Sequence, residues 1–595
     1  MHETSFSLPL PQRTPHICSA MASIMPHLGK RLLAAPDSAW QFNVGSGARL
    51  GSVRLPTSSS FGSEMAVRLI GTGNNSHWKA FGTRHSYRSG AQALITCSAT
   101  LSNVNLLAVE KIDFKKLQNG SDIRGVAIPG VEGEPVNLTE SATEAIAAAF
   151  SQWLFDKTDD GSRRLRIAVG HDSRISANML QSAVARGIAG AGSDVVLYGL
   201  ASTPAMFNST ITQREDFFCP VDGSIMITAS HLPFNRNGLK FFTNAGGLGK
   251  LDITDILSRA AKIYNKFSEE NLKFTSEAAE KVIKRVNYME QYTSDLVGAV
   301  RRGARGEERP LEGFHIIVDA GNGAGGFFAG SVLEPLGAVT KGSQFLEPDG
   351  LFPNHIPNPE DKKAMDAITK AVINQKADLG IIFDTDVDRA AAVDSNGQEL
   401  NRNRLIALLS AIVLAEDAAG EETHLAIETS GHGALKENHW LDDGAYLMVK
   451  LLIKLAAAKV AGETKGSSVL SNLIGELKEA EFATELRLKI DESHPDVGAR
   501  TFRDYGEEVL KQLEQRVASD HVLTKAPVNY EGVRVSGYGG WFLLRLSLHD
   551  PVLPLNIEAP SKAAAVQLGN AVLAVVKNFE ALDTTALQKF VETPE

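Results

Sequence analysis

From residue 111 onward the chain alternates two kinds of apolar pattern. RLRIAVGHD (164–172) is a compact β-rich run ending in polar residues. NMLQSAVARGIAGAG (178–192) then spaces its apolar positions by three and four, and DVVLYG (194–199) returns to a strand. The theme recurs in SIMITASH (224–231), FHIIVDAGNG (314–323), ADLGIIFDTD (377–386) and HLAIETSGH (424–432), each ending in Gly, Ser, His or Asp. A helix is expected over 404–417. RRGARGEERPLEG (301–313) reads as a charged, Gly-rich linker, and the chain closes on WFLLRLSL (541–548), PLNIEA (554–559) and a helix over 561–577. Alternating strands and helices predict parallel α/β units, whose ligands sit beyond the carboxyl ends of strands, where these polar clusters fall. The fold class expected is α/β: three α/β units and a small C-terminal α+β unit.

Composition changes that picture mainly at the N-terminus. The 595 residues carry 60 Lys+Arg against 70 Asp+Glu, a net charge of −10, which argues against nucleic-acid binding. With 43% hydrophobic and 22% charged residues the composition is globular, and the length suits about four domains. Up to Leu107 only Glu3, Asp37 and Glu64 are acidic, against the basic residues Arg13, Lys30, Arg31, Arg49, Arg54, Arg68, Lys79, Arg84 and Arg88. This Ser/Thr/Gly-rich stretch, 1–108, lacks a compact apolar block and reads as an organelle transit peptide. The chloroplast stroma is the first expectation, with the cytoplasm or mitochondrion as alternatives, and a disordered leader or an over-extended gene model is the plainer explanation. Cys18 and Cys97 lie in the leader, so its removal would leave one thiol, Cys219, as suits a reducing compartment. LIALLSAIVLA (405–415) falls well short of the ~20 residues that span a bilayer, so no membrane segment is expected.

Four clusters carry candidate chemistry. In ITASHLPFNRNGLKFF (227–242), Ser230 follows an apolar strand beside His231, with Lys240 downstream; a turn serine is the plainer alternative for a lone Ser-His pair. In GIIFDTDVDR (380–389), Asp384, Asp386 and Asp388 alternate just past a strand, and Arg389 follows. Carboxylates at i, i+2 and i+4 of an extended loop face one side and repel unless a cation sits among them, which suits Mg²⁺. The same FDTDV also fits a phosphatase with an aspartyl nucleophile. AIETSGHG (426–433) places Glu428, Ser430 and His432 where a carboxylate can accept from sugar hydroxyls. RLSLHDPVLPLNIE (545–558) offers Arg545 as a bidentate fork and Ser547 as a donor to phosphate.

Taken in order, these clusters resemble the α-D-phosphohexomutases, the phosphoglucomutase/phosphomannomutase enzymes, from about Ile112 to Ile557. GSDIRG (120–125) resembles the opening loop, VGHDSRIS (169–176) the first-domain loop, TASHLP (228–233) the phosphoserine loop and DTDVDR (384–389) the metal loop. PDGLFPNHIPNPE (348–360), ETSGH (428–432) and RLSLHDP (545–551) resemble the inter-domain, sugar and distal phosphate loops. The resemblance implies mixed-sheet domains at 109–300, 301–399 and 400–518 and a C-terminal domain at 519–595, arranged around a central cleft. It implies a mutase that moves a phosphoryl group from Ser230 to a sugar phosphate and back through a hexose bisphosphate, with hexose 1,6-bisphosphate as activator. Asp384, Asp386 and Asp388, with the Ser230 phosphate, match the Mg²⁺ ligands. His231, Lys240, His355 and Arg389 match groups around the transferring phosphate. Glu428, Ser430 and His432 match sugar contacts, Arg545 and Ser547 the distal clamp, and Arg124 the opening loop's basic residue. The partners implied are hexose phosphates, with no nucleic acid, membrane or obligate protein partner.

The chain departs from the family's pattern in four places. Leu548, His549 and Asp550 replace Gly-Thr-Glu in the distal loop, Thr385 stands where Gly is usual, and Leu232 stands where Asn is usual. Only 40 residues separate Asp388 from Glu428, so about one βαβ unit, ~30 residues, is expected to be missing after Ala415. The third domain is therefore expected to be shortened, with exposed apolar faces. This leaves a catalytically impaired paralogue or isoform that binds sugar phosphate without turnover as the second reading, and an Mg²⁺-dependent sugar-phosphate phosphatase as a minor one.

Overall fold

The computed structural model describes residues 111–592, apart from 159–162, 268, 463–466, 530–531 and 548–549. The transit peptide expected at 1–108 lies outside the described residues, as do Cys18, Cys97, Leu548 and His549.

The first unit is built on β1 (Asp122–Val126), β2 (Arg166–His171), β3 (Asp194–Leu200), β4 (Gly223–Ile227) and β5 (Arg236–Thr243). Its sheet runs Gln118–Asn119, β1, β5, β4, β2, β3, Ile283–Arg285, with Gly246–Gly247 paired to β5. β2 is parallel to β3 and β4, whereas β5 is antiparallel to β4 and β1, so the sheet is mixed. Central β4 is buried on both faces: Ile225 and Ile227 enter one core and Met226 the other, the alternation that a period of two dictates. Helices α1 (Glu140–Lys157), α2 (Ala177–Gly190) and α4 (Lys250–Tyr264) cover the first core. On the other face lie α3 (Thr203–Ile211) and α5 (Tyr288–Gly303). α3 starts where the Ser202 hydroxyl accepts from the Ala205 amide and Pro204 occupies the first turn, where its missing N–H costs nothing. The expected linker at 301–313 therefore begins inside the last turn of α5.

The second sheet holds β6 (Ile316–Asp319), β7 (Leu379–Phe383) and β8 (Ala390–Asp394), with Glu399–Leu400 at its edge. β7 is parallel to β6 and antiparallel to β8. α6 (Lys362–Gln375) covers one face of this sheet. The other face shares an apolar core with α3 and α5 and with the next two helices, α7 (Arg402–Ala418) and α8 (Gly444–Val460).

Between α7 and α8 the chain forms a two-stranded hairpin, β9 (Leu425–Ile427) with β10 (Gly433–Leu435). The apolar faces expected to be exposed here are covered. Leu405, Leu408 and Leu409 of α7 and Leu447, Leu451 and Leu455 of α8 are buried in the core they share with the second sheet, which supplies the surface that a sheet of their own would otherwise provide.

The C-terminal sheet is wholly antiparallel, in the order β11 (Phe482–Lys489), β14 (Val552–Ala559), β13 (Gly540–Leu544), β12 (Val533–Gly537), then Thr524–Lys525. α9 (Phe502–Ala518) and α10 (Lys562–Val576) complete its core. Residues 482–518, expected in the third domain, thus pair and pack with the C-terminal sheet: β11 is in register with β14 from Phe482–Ala559 to Lys489–Val552. Among the described residues no helix is long and apolar enough to cross a membrane.

Candidate active site

The site lies where β4 and β7, in different sheets, end facing each other. β4 runs into TASHLP, and Ser230 adopts φ 50°. A left-handed conformation costs a non-glycine residue about 1–2 kcal/mol, so its surroundings must impose it. Both peptide groups of Ser230 are held. Its N–H donates to Thr228 Oγ1 at 2.9 Å, and its carbonyl accepts from the buried guanidinium of Arg174. The turn aims Oγ at the second sheet, where it donates to Asp384 Oδ2 at 3.1 Å and accepts from Arg389 Nη2 at 3.0 Å. His231 Nδ1 lies 3.2 Å from the same Oγ and accepts from Arg389 Nη2 at 2.7 Å. Burial, with Arg389 and Arg124 nearby, pushes the His231 pKa down to about 4, so the ring is neutral.

β7 hands over to β8 through the acidic loop, a turn so tight that Val387 takes φ 70°. Asp384, Asp386 and Asp388 are buried and can each offer an oxygen within 4.8 Å of the others. Lys240, carried by β5, donates to Asp386 Oδ2 at 3.0 Å and to Asp388 Oδ2 at 2.5 Å. Burial opposes the charge on Lys240, but Asp386 and Asp388 outweigh it and raise its pKa. Burial also works against the Asp388 charge, yet Lys240, His432 and Arg389 hold its pKa well below the ordinary carboxylate range. Asp386 is lowered too, by Lys240 and Thr203 acting against burial and Asp388. Asp384 goes the other way: burial, then Asp388 and Asp386, push it well up.

Two oxygens, Asp386 Oδ1 and Asp388 Oδ1, are buried without a hydrogen bond. Asp388 Oδ1 has only longer ion-pair contacts, 3.6 Å to His432 Nε2 and 3.9 Å to Arg389 Nε, and a hard divalent cation would satisfy both oxygens. The donor set, all oxygen from three carboxylates, fits such an ion.

Neighbouring elements hold the acidic loop. At the start of α3, Thr203 donates twice to Asp386, from its amide to the carbonyl at 2.9 Å and from Oγ1 to Oδ2 at 2.6 Å. At the start of α8, Gly444 donates to the Val387 carbonyl at 3.0 Å, and a Cβ there would fall 2.6 Å from the Arg389 carbonyl carbon, so only glycine fits. The hairpin loop of β9 and β10 docks alongside, with His432 bridged to Arg389 in antiparallel fashion. His432 Nε2 lies 3.6 Å from Asp388 Oδ1; burial opposes its charge, but Asp388 raises its pKa to about 9. Ser430 Oγ sits 2.9 Å from His432 Nδ1 and donates to the exposed Glu428 at 3.0 Å.

The structure thus brings together Ser230, His231, Lys240, Asp384, Asp386, Asp388, Arg389 and His432. Arg124, on β1, joins them by donating to the Ala229 carbonyl at 3.0 Å and to Asp122 at 2.8 Å. His355, expected among the groups around the transferring phosphate, sits in the 348–360 loop. Its Nε2 is 3.1 Å from Asp319 and its Nδ1 is 3.0 Å from the Ile356 carbonyl, so both ring nitrogens are engaged in holding the 348–360 loop. From that loop it is Asn358 and Glu360 that reach Arg389, at 3.2 and 3.7 Å. Arg545 and Ser547 follow β13, where their amides donate to Pro554 and Val552 of the C-terminal sheet; Arg545 makes no hydrogen bond to the Ser230 cluster. Sequence reasoning missed Thr203, Thr228, Asp172, Arg174, Asn358 and Glu360, although all but Thr203 lie inside motifs it had quoted.

Comparison with known proteins gives this geometry a family. The family model described as phosphoglucomutase/phosphomannomutase, alpha/beta/alpha domain I, matches residues 115–268, and domain II of the same family matches 288–397. A phosphoglucomutase of Neisseria meningitidis serogroup A is 27% identical over 492 residues, covering 76% of this chain and 95% of the relative. A phosphomannomutase/phosphoglucomutase of Pseudomonas putida is 26% identical over 438 residues, covering 67% and 84%. Among solved structures, a phosphoglucomutase/phosphomannomutase family protein of Burkholderia thailandensis shares the fold with TM-score 0.59 at 22% identity, over 79% of this chain and 98% of that one.

Proposed function

We propose that this chain, which belongs to the α-D-phosphohexomutase family, interconverts hexose 1-phosphate and hexose 6-phosphate through a phosphoserine at Ser230. One observation carries the reading: Ser230 Oγ, from the first sheet, meets Asp384 and Arg389, from the second, inside a buried cluster. A phosphate on Oγ would add nearly two negative charges beside three carboxylates. Mg²⁺ held by Asp384, Asp386, Asp388 and that phosphate would supply the offsetting charge and polarise the phosphoryl group.

The chain's own groups do the rest. The Ser230 Oγ–P bond breaks as the free hydroxyl of a hexose monophosphate forms a new O–P bond, giving a hexose bisphosphate. That intermediate turns over in the cleft, and its other phosphate returns to Oγ, so the sugar is isomerised without net transfer. Arg389 and Lys240, both fixed in the charged state, stabilise charge on the transferring group. His231, kept neutral, is the base of the set. Glu428, Ser430 and His432 bind the sugar hydroxyls. Arg545 and Ser547 of the C-terminal unit grip the remote phosphate, and that grip supplies the binding energy for closure over the site. Closure matters because a site that activates a phosphate monoester will otherwise pass it to water. Hexose 1,6-bisphosphate primes Ser230, and the acid-poor, basic leader directs the chain to a plastid.

The test is direct: glucose 1-phosphate, Mg²⁺ and a trace of glucose 1,6-bisphosphate should yield the 6-phosphate. Failure with glucose, mannose and glucosamine phosphates alike would contradict the reading.

A further inference from the structure

The left-handed backbone of Ser230 aims its Oγ, and the groups that hold that conformation trace back to a single carboxylate. Asp172 follows β2 and is fully buried. Its Oδ2 accepts from Thr228 Oγ1 at 2.7 Å, which leaves the Thr228 oxygen oriented to accept from the Ser230 amide at 2.9 Å. Its Oδ1 accepts from the Arg174 amide at 2.9 Å, and its Oδ2 lies 3.3 Å from Arg174 Nε. The Arg174 guanidinium, also fully buried, spends its terminal nitrogens on three carbonyls of the phosphoserine loop, Ser230, Leu232 at 2.6 Å and Pro233 at 2.8 Å, and on that of Arg236 at the start of β5, at 3.0 Å. The 348–360 loop closes over it, with the Phe352 ring 5.4 Å from the guanidinium. Gly350 lies so near that a Cβ would come within 2.4 Å of the Ile175 nitrogen.

We propose that Asp172 is the positioning residue of the nucleophile, acting through two arms: Thr228 fixes the N–H of Ser230 and Arg174 fixes its C=O. With both flanking peptide groups immobilised, the residue is held in its left-handed conformation and Oγ points at Asp384 and Arg389 rather than swinging with the loop. Arginine is required in the second arm because only a planar fork presents donors to four carbonyls at once. None of the three touches the acidic loop's free oxygens, so the arms control where Oγ sits and leave cation binding to Asp384, Asp386 and Asp388. The inference rests on the mutase reading for its kinetic consequence but not for its structural one.

Thr228→Val, nearly isosteric, removes the first arm, and Thr228→Ser keeps it. Hydrogen exchange on a peptide spanning 228–233 reads the arm without turnover: the Ser230 amide should exchange about tenfold faster in Thr228→Val and at the wild-type rate in Thr228→Ser. In the mutase assay, Thr228→Val should lower kcat by about tenfold to a hundredfold, with KM and directly titrated Mn²⁺ affinity within about threefold of wild type. Thr228→Ser should restore kcat. Arg174→Lys, which keeps the charge beside Asp172 but loses the fork, should reproduce the kcat loss and serves if Thr228→Val does not fold. Wild-type exchange in Thr228→Val, a Thr228→Ser variant as slow as Thr228→Val, or a parallel loss of Mn²⁺ affinity would each overturn the proposal. Slow exchange in a wild-type protein that turns over no hexose phosphate would overturn the mutase reading and leave the clamp standing.

Discussion

Ser230 Oγ lies 3.1 Å from Asp384 Oδ2 although the two residues are 154 positions apart, on loops that leave different sheets. Everything proposed for this protein depends on that meeting, because it puts a buried serine hydroxyl against a cluster able to hold a divalent cation.

The charge balance of the cluster gives the first prediction. Lys240 bridges Asp386 and Asp388. Lys240→Met removes the cation shared by two buried carboxylates, leaving Asp388 its longer contacts to His432 and Arg389, and should cost about 3–5 kcal/mol of unfolding free energy in divalent-free buffer. Saturating Mn²⁺ should recover most of that loss, since the ion substitutes for the missing charge. Denaturant unfolding with chelator and with Mn²⁺ checks this. A loss that Mn²⁺ does not reduce would contradict a cation site at these carboxylates.

Thr203 governs the orientation of one carboxylate. Thr203→Val keeps the shape and removes the 2.6 Å hydrogen bond to Asp386 Oδ2. Outer-sphere partners of metal ligands typically contribute about tenfold to a hundredfold in affinity, so the Mn²⁺ dissociation constant should rise by at least the lower figure. Calorimetric titration checks it, and Thr203→Ser should bind as wild type.

Asp443, at the start of α8, provides a pH signature. Burial raises its pKa to about 6, despite hydrogen bonds from the Tyr446 amide, Asn438 and Tyr292. An unfolded aspartate titrates near 3.9, so the folded chain holds the proton more tightly. The resulting stabilisation is fullest below about pH 4 and is lost as pH rises through about 6. Relative to Asp443→Asn, wild type should therefore lose about 2 kcal/mol between pH 4.5 and 7.5. Urea unfolding of both proteins at the two pH values checks this, and a constant difference would contradict it.

Much of this was legible in the sequence because strand ends write their chemistry locally. SIMITASH and GIIFDTDVDR each combine a buried apolar run with the polar residues that leave it, so Ser230 and the three aspartates could be read without knowing that they meet. Helices at 178–192, 404–417 and 561–577 lie within two residues of Ala177–Gly190, Arg402–Ala418 and Lys562–Val576. What escaped was set by distant partners. Thr203 is a helix-start residue whose role comes from Asp386, 183 positions away. Arg174 acts on backbone carbonyls, which leave no trace in the identity of the residues that carry them. His355 was legible as a motif residue, but its bond to the buried Asp319, 36 positions away, was not. The cover found by α7 and α8 on the second sheet is likewise a property of three-dimensional neighbours, which periodicity cannot express.

The central claim is that phosphate resides on Ser230 during turnover. Wild-type protein and Ser230→Ala should be incubated with glucose 1,6-bisphosphate and Mg²⁺, and the peptide carrying residue 230 examined by mass spectrometry alongside the conversion of glucose 1-phosphate. The account predicts one phosphate on Ser230 and production of the 6-phosphate in wild type, and neither in a folded Ser230→Ala. Undiminished turnover by Ser230→Ala, or turnover by wild type with phosphate on another residue, would contradict it.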